Sequence, residues 1–337
     1  MSVRGRNALG VALSVGFLLW TFRDVRIADV LAQLARANPW LLLAAAVAGT
    51  LIFPLRARRW RTILDPVAGP LPFPVLWRAT AIGMMGNNLL PARAGELARA
   101  YALSRETDRV NFPTAFASLA VDRVFDAFVV LLLMLAAMST PSFPHQARIA
   151  GISPGSYVVS GTVVAAAVLV TLYLIVFFPD RVITVYEWLA RRIAPGLEAR
   201  GRDALHSFAG GLGVLRHPER FAAVFLWTLA HWLLNAFAFW LGFVAVGIPA
   251  PYSAALFLQG LIAIGVALPS APGFFGVFEK VGQVGLRVYG VDAVSATSWA
   301  VSFHILTFIP ITVIGIYYFS RLGLRVSELR AVRESGQ

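Results

Sequence analysis

Three groups of polar residues stand inside otherwise apolar sequence, and each could handle a charged headgroup. The first is Gly86–Asn87–Asn88–Leu89–Leu90–Pro91–Ala92–Arg93–Ala94–Gly95–Glu96, followed by Arg99. Asparagine amides offer donors and an acceptor, and Arg93 and Arg99 can fork onto phosphate oxygens. Pro91 and Gly95 free backbone groups, and the N-terminus of a half-helix there favours an anion. The same residues would also make a cytoplasmic turn bearing a Glu96–Arg99 surface pair. The second group is Asp122–Arg123–Val124–Phe125–Asp126, in a helix that begins after Pro113. Asp122 then lies about 12 Å along the axis. Asp122 and Asp126 share a helix face, and Arg123 reaches Asp126 at i+3. Each ion costs about 2.5–3.5 kcal/mol at the centre of a lone membrane helix. Such a group is therefore a structural ion pair joining helices or a proton-sensitive carboxylate beside a wet path. The third group runs Leu268–Pro269–Ser270–Ala271–Pro272–Gly273–Phe274–Phe275–Gly276–Val277–Phe278–Glu279–Lys280. Its prolines lack donors and break a helix, and Glu279 arrives where the helix restarts.

Other signals are weaker or absent. The cluster Arg56-x-Arg58–Arg59–Trp60–Arg61 reads as an interfacial anchor, with a headgroup contact as the alternative. His231 and His304 fall in apolar spans and read as hydrogen-bonded packing residues. No HExxH, paired histidines or carboxylate–histidine group has metal spacing. No Walker A sequence, Asp-x-Asp or Gly-x-Ser-x-Gly occurs, and Gly211-x-Gly213 lacks the third glycine of a dinucleotide loop. No metal or cofactor is expected.

The elements that must position these residues follow from composition. Of 337 residues 58% are hydrophobic and only 14% charged, against about 45–50% and about 25% in soluble domains. Zero cysteines exclude disulfides, thiolate nucleophiles and zinc fingers. The net charge of +12 comes almost wholly from arginine, Lys280 being the one lysine. In this apolar context the excess suits loops beside anionic lipid rather than nucleic acid. The run Phe221–Phe278 holds 58 residues without a charge, and a span needs about 20, so it must fold back.

Arginine clusters belong on the cytoplasmic side. With that rule, spans are expected over about 7–22, 39–55, 114–138, 157–178, 221–246 and 294–319, with a surface helix at 23–36. The N-terminal span shows no cleavage site and reads as a retained helix. The charge-free stretch Ala79–Ala92 is too short to cross, and crossing would export Arg93, Arg99, Arg105 and Arg109. It is expected to enter and leave on the cytoplasmic face, while 254–290 does so from outside. The expected fold is all-α and polytopic: about six spanning helices plus two re-entrant hairpins entering from opposite faces. Residues 1–320 form the membrane domain and 321–337 a basic cytoplasmic tail. Such broken helices match the inverted-repeat pattern of secondary transporters, with a wet cavity where they meet. No sequence match between the halves is visible.

In order, Arg-x-x-x-Trp from Arg56, the Asn87–Glu96 block with Arg99, the Asp122–Arg123 pair with Asp126, and Pro-x-x-Pro–Gly-x-x-Gly-x-x-Glu ending at Glu279 resemble one family. It is the lysylphosphatidylglycerol synthase transmembrane, or flippase-like, family, and the resemblance covers about residues 10–320. It implies a membrane domain that moves lipid between leaflets. In fused members this domain translocates aminoacylated phosphatidylglycerol made by a soluble domain, which has no counterpart here, so the synthase activity is not carried over. Some archaeal relatives are linked to lipid-linked glycan assembly. Matching motif positions are Arg56, Asn87, Asn88, Arg93, Glu96, Arg99, Asp122, Arg123, Asp126, Pro272, Gly273 and Glu279.

The resulting expectation is a protein of the inner or plasma membrane, termini cytoplasmic. It would translocate an anionic phospholipid or polyprenyl-phosphate-linked lipid, with Arg93 and Arg99 on the phosphate and Asp122, Asp126 and Glu279 setting polarity or accepting protons. A lipid-modifying enzyme encoded nearby is a candidate partner. Rival readings are a membrane-embedded transferase using Asp122 and Glu96, a small-solute carrier, and a scaffold.

Overall fold

The computed structural model describes residues 3–23, 25–90, 94–146, 154–193, 196, 198–199, 201–202, 205, 217–266 and 271–325. Among them every regular element is helical: α1 Val3–Phe22, α2 Ile27–Ala35, α3 Pro39–Ala68, α4 Phe73–Leu89, α5 Gly95–Glu106, α6 Phe112–Met138, α7 Pro154–Phe177, α8 Pro179–Ile193, α9 Pro218–Ala245, α10 Tyr252–Gly265, α11 Val277–Val288 and α12 Ala293–Arg321. Helices α3, α9 and α12 are long and apolar enough to cross a membrane. The chain is an all-α membrane protein. Asn38, Asn111 and Asp292 cap the starts of α3, α6 and α12 by accepting backbone N–H bonds, which supplies acceptors for donors that a helix start leaves unpaired.

Two expected hairpins are present as α4–α5 and α10–α11. At about 1.5 Å per residue, the 12 residues of α5 or α11 reach about 18 Å, short of a bilayer core of about 30 Å. Neither limb spans alone. In the first hairpin one limb ends at Leu89 and the other starts at Gly95, and a 3₁₀ turn at Pro272–Phe274 precedes the second limb of the other. The surface helix α2 shows Ile27 and Leu31 outward and buries Val30.

The order long helix, hairpin, long helix occurs twice. Helices α3, α4, α5 and α6 have 30, 17, 12 and 27 residues, and α9, α10, α11 and α12 have 28, 14, 12 and 29. The packing repeats with them. α3 lies on α4 as α9 lies on α10, α5 on α6 as α11 on α12, α4 on α12 as α10 on α6, and α3 on α12 as α9 on α6. The central pair α3 and α9 is antiparallel: Asn38 at the start of α3 donates to the Ala245 carbonyl at the end of α9, and Arg59 late in α3 meets Thr228 early in α9. The second half therefore repeats the first upside down, and the hairpins leave opposite ends of the central pair. Both hairpins reach Phe308 of α12. The Asn88 amide donates to its carbonyl, and Gly273 lies so near its ring that an added Cβ would come within 2.8 Å.

One expected boundary is corrected. The second span was expected to stop at Leu55, where arginines begin, but α3 continues to Ala68. Its arginines are neutralised within the bundle instead of marking the end of an apolar run. The arginine-rich region 181–220 is described only in part, by α8 and scattered residues, and most of the expected basic tail 321–337 lies outside the described residues.

Candidate functional site

Helices α3, α5, α6 and α9 enclose a cluster of charged side chains. Its centre is Arg59, whose side chain has no exposed surface. One Nη stands 2.5 Å from Asp122 Oδ1, and the other donates to Asp126 Oδ1 at 2.6 Å and to Thr228 Oγ1 at 3.1 Å. Asp122 also accepts from Arg99 at 3.2 Å, and Arg99 stacks over the Trp60 ring at 4.1 Å. Asp126 gathers Arg56 at 3.6 Å, Arg123 at 3.4 Å and the Trp232 indole N–H at 2.9 Å. The Nδ1 of His231 lies 3.9 Å away and has no hydrogen-bond partner. At the edge Arg123 pairs with Glu96, and there the cluster opens, the Arg123 side chain being 42% exposed.

The local sequence explains this convergence. Arg56, Arg59–Trp60 and Ile63 form one stripe of α3 at i, i+3/4, i+7, and that stripe is buried. Asp122 and Asp126 are one turn apart on α6, so a single guanidinium bridges both. Arg99 reaches Asp122 because α5 crosses α4 along glycines: a Cβ on Gly83 would stand 2.6 Å from Arg99 Cβ, and one on Gly95 would stand 2.0 Å from the Gly83 carbonyl oxygen.

Several expected roles change. The arginine cluster after Leu55 is not an interfacial anchor, because Arg59 and Trp60 are fully buried and Arg56 nearly so. Arg58 alone of the first three faces outward, over Trp227. The Glu96–Arg99 surface pair does not form, since Glu96 takes Arg123 and Arg99 turns inward. Asn87 Oδ1 accepts the Gly95 N–H at 3.1 Å, so it staples the hairpin turn, and Asn88 donates to Thr312 Oγ1 at 2.7 Å. Arg93 lies outside the described residues. Pro272 opens the 3₁₀ turn and Gly273 within it has φ 71°. Glu279 and His304 meet each other where α11 packs on α12 and do not join the arginine cluster. Sequence reasoning missed Arg59, Thr228 and Trp232. For Arg59 a signal existed: nothing between Leu55 and Arg61 stops a helix. Among the described residues no three of His, Asp and Glu converge as a metal site would require.

Trp60 ties the cluster to α6 by donating its indole N–H to Ser118 Oγ at 2.8 Å. Trp60→Phe is expected to cost about 1–3 kcal/mol through the lost bond and the space left behind, read as a lower thermal midpoint in detergent.

The family described as the lysylphosphatidylglycerol synthase TM region matches residues 7–315. The chain belongs to that family. Glycosyltransferase AglD of Haloferax volcanii is 28% identical over 367 residues, covering 100% of this chain and 58% of that protein. A UPF0104 membrane protein of Methanothermobacter thermautotrophicus is 25% identical over 251 residues, 71% of each chain. This chain thus spans little more than half the length of the Haloferax relative. Within the lysylphosphatidylglycerol synthase TM family match lie all four helices that build the arginine–carboxylate cluster.

Proposed function

We propose that the protein carries a lipid with a phosphate-bearing headgroup between the two leaflets, the headgroup entering the cluster beside Arg123. The supporting observation is an imbalance of charge. Four guanidinium groups, of Arg56, Arg59, Arg99 and Arg123, meet three carboxylates, of Glu96, Asp122 and Asp126. An extra cation at membrane depth is costly, and a phosphodiester supplies the missing charge in the geometry a guanidinium fork accepts. Nε of Arg56 and both Nε and Nη2 of Arg99 are buried without hydrogen-bond partners, which leaves donors for its oxygens. The half-exposed Glu96–Arg123 contact is where the headgroup joins: Arg123 takes the phosphate while Glu96 stays at the edge of the cluster, and the net charge falls from +1 to zero. Acyl chains stay in the bilayer.

The lipid is an anionic phospholipid or a polyprenyl-phosphate-linked lipid, the membrane is the cytoplasmic one, and both termini face the cytoplasm. A second reading, a membrane-embedded transferase, draws on the printed name of the Haloferax relative. It needs a free carboxylate beside the headgroup, whereas Asp122 and Glu96 are both held by arginine. Lipid mass spectrometry of a deletion strain separates the two. A missing product indicates the enzyme; a normal product in the wrong leaflet indicates the flippase.

The direct test is reconstitution with a fluorescent phospholipid and measurement of its exchange between leaflets. Arg123→Ala, at an exposed edge, is expected to fold and to exchange lipid at least about tenfold more slowly, equivalent to about 1.4 kcal/mol. Equal rates for the variant and the wild type would overturn the proposal.

A further inference from the structure

One turn before Phe308 along α12, a second acid–base pair is buried. His304 Nδ1 lies 2.6 Å from Glu279 Oε1, and the side chains are 9% and 3% exposed. The other carboxylate oxygen accepts the Gly276 N–H at 2.6 Å, so Glu279 also caps α11. The Phe275 and Phe278 ring centroids each lie 4.5 Å from that of the imidazole, inclined to it by 28° and 34°, with Phe308 edge-on. Aromatic faces at this distance stabilise a cation.

The internal repeat gives this pair a counterpart. In the first half Glu96, in the opening turn of α5, holds Arg123, eleven residues past the first residue of α6. In the second half Glu279, in the opening turn of α11, holds His304, eleven residues past the first residue of α12. The same clasp thus joins hairpin to long helix twice, once with a guanidinium that keeps its charge and once with an imidazole that can take up or release a proton.

We propose that Glu279 and His304 form a protonation site that fastens the second hairpin to α12 at low pH and loosens it as pH rises. A proton from water binds the imidazole, and the imidazolium then donates to the carboxylate as a buried ion pair, adding coulombic attraction to the hydrogen bond. Its return to water leaves the weaker bond. Among the described residues no other free charge faces the pair. Lys280 on α11 sends its Nζ to Gln283 at 2.7 Å and over the Trp20 ring of α1. On the other elements packed against α11 and α12, Asp29 pairs with Arg26, Arg78 with Glu106, Arg61 with Asp65, and Arg56, Arg59 and His231 surround Asp126. Arg287 is exposed near the end of α11, Arg321 donates to Tyr317 at the end of α12, and Glu219 and Arg220 sit at the outer start of α9. The effect of this clasp on transport rests on the function proposed above; the clasp itself does not.

The absence of cysteine allows a direct test. Spin labels at Val284→Cys on α11 and Ile309→Cys on α12, both exposed positions, report the distance between the helices in lipid nanodiscs. A single narrow distribution is expected at pH 5, with a second, longer population at pH 8. The ratio of the two is expected to change about tenfold over that interval, or about 1.4 kcal/mol. His304→Arg is expected to show the pH 5 distribution at both values, and Glu279→Gln the longer population at both. Identical wild-type distributions at pH 5 and pH 8 would overturn the proposal, as would a pH response that survives in His304→Gln. Measuring lipid exchange in the same samples keeps the two readings apart. A pH-dependent distance without lipid exchange upholds the clasp and refutes the transport reading.

Discussion

Arg59→Met is expected to leave little folded protein in the membrane. The substitution keeps most of the side-chain volume and removes the one cation that touches both Asp122 and Asp126. Two buried carboxylates then keep only weaker partners, Arg99 on Asp122 and Arg123, Arg56 and the Trp232 N–H on Asp126. Breaking a buried ion pair from one side costs about 3–5 kcal/mol, a large part of the roughly 5–15 kcal/mol that holds a typical protein folded. The loss of the Thr228 bond adds to it. The measurement is the yield of monodisperse protein after detergent extraction. Arg59→Lys keeps the charge without the fork and is expected to fall between the two. Arg59→Met combined with Asp122→Leu and Asp126→Leu replaces the whole group by apolar side chains and is expected to recover folding without lipid exchange. A triple variant that still exchanged lipid would remove the cluster from the mechanism.

Gly95→Ala is expected to be nearly as damaging, for a steric reason. The new Cβ would stand 2.0 Å from the Gly83 carbonyl oxygen and 2.5 Å from the Asn87 backbone nitrogen. Both are backbone atoms of α4, so no side-chain rotation relieves the clash. Overpacking a flexible core costs about 1–3 kcal/mol, and here the two limbs of the hairpin must separate instead. That movement also draws Arg99 off Asp122 and breaks the Asn87 staple. Gly16→Ala in α1, where nothing lies within 4 Å of the added carbon, is the matched control and is expected to leave the thermal midpoint unchanged or raised.

The fold class was legible because lipid demands it: charge-free runs and an arginine-rich remainder leave few arrangements besides a helical bundle. The hairpins were legible for a related reason. Ala79–Ala92 was too short to cross, and Pro269, Pro272 and the nearby glycines interrupted a run too long for one span. The repeat was visible only as alternating breaks. Its fuller form lies in which helices touch, and helices as apolar as these carry little sequence difference between partners. The site was half legible. Asp122, Arg123 and Asp126 announced themselves by standing charged in an apolar helix. Arg59 did not, because a run of arginines after an apolar stretch looks the same whether it meets lipid headgroups or turns inward to meet acids 63 and 67 residues away. The Glu279–His304 contact was equally hidden, since neither residue's neighbours name the other.

The inverted arrangement of α3–α6 and α9–α12 carries an energetic corollary. If each half adopted the shape now held by the other, the bundle would present the same contacts to the opposite side of the bilayer. Two such forms would be equal in energy only if the halves were chemically alike. They differ at the clasp, arginine in one and histidine in the other, so acidity alone would tilt the balance between an inward-open and an outward-open molecule. A cell that keeps its two sides at different acidity would bias that balance without spending a nucleotide.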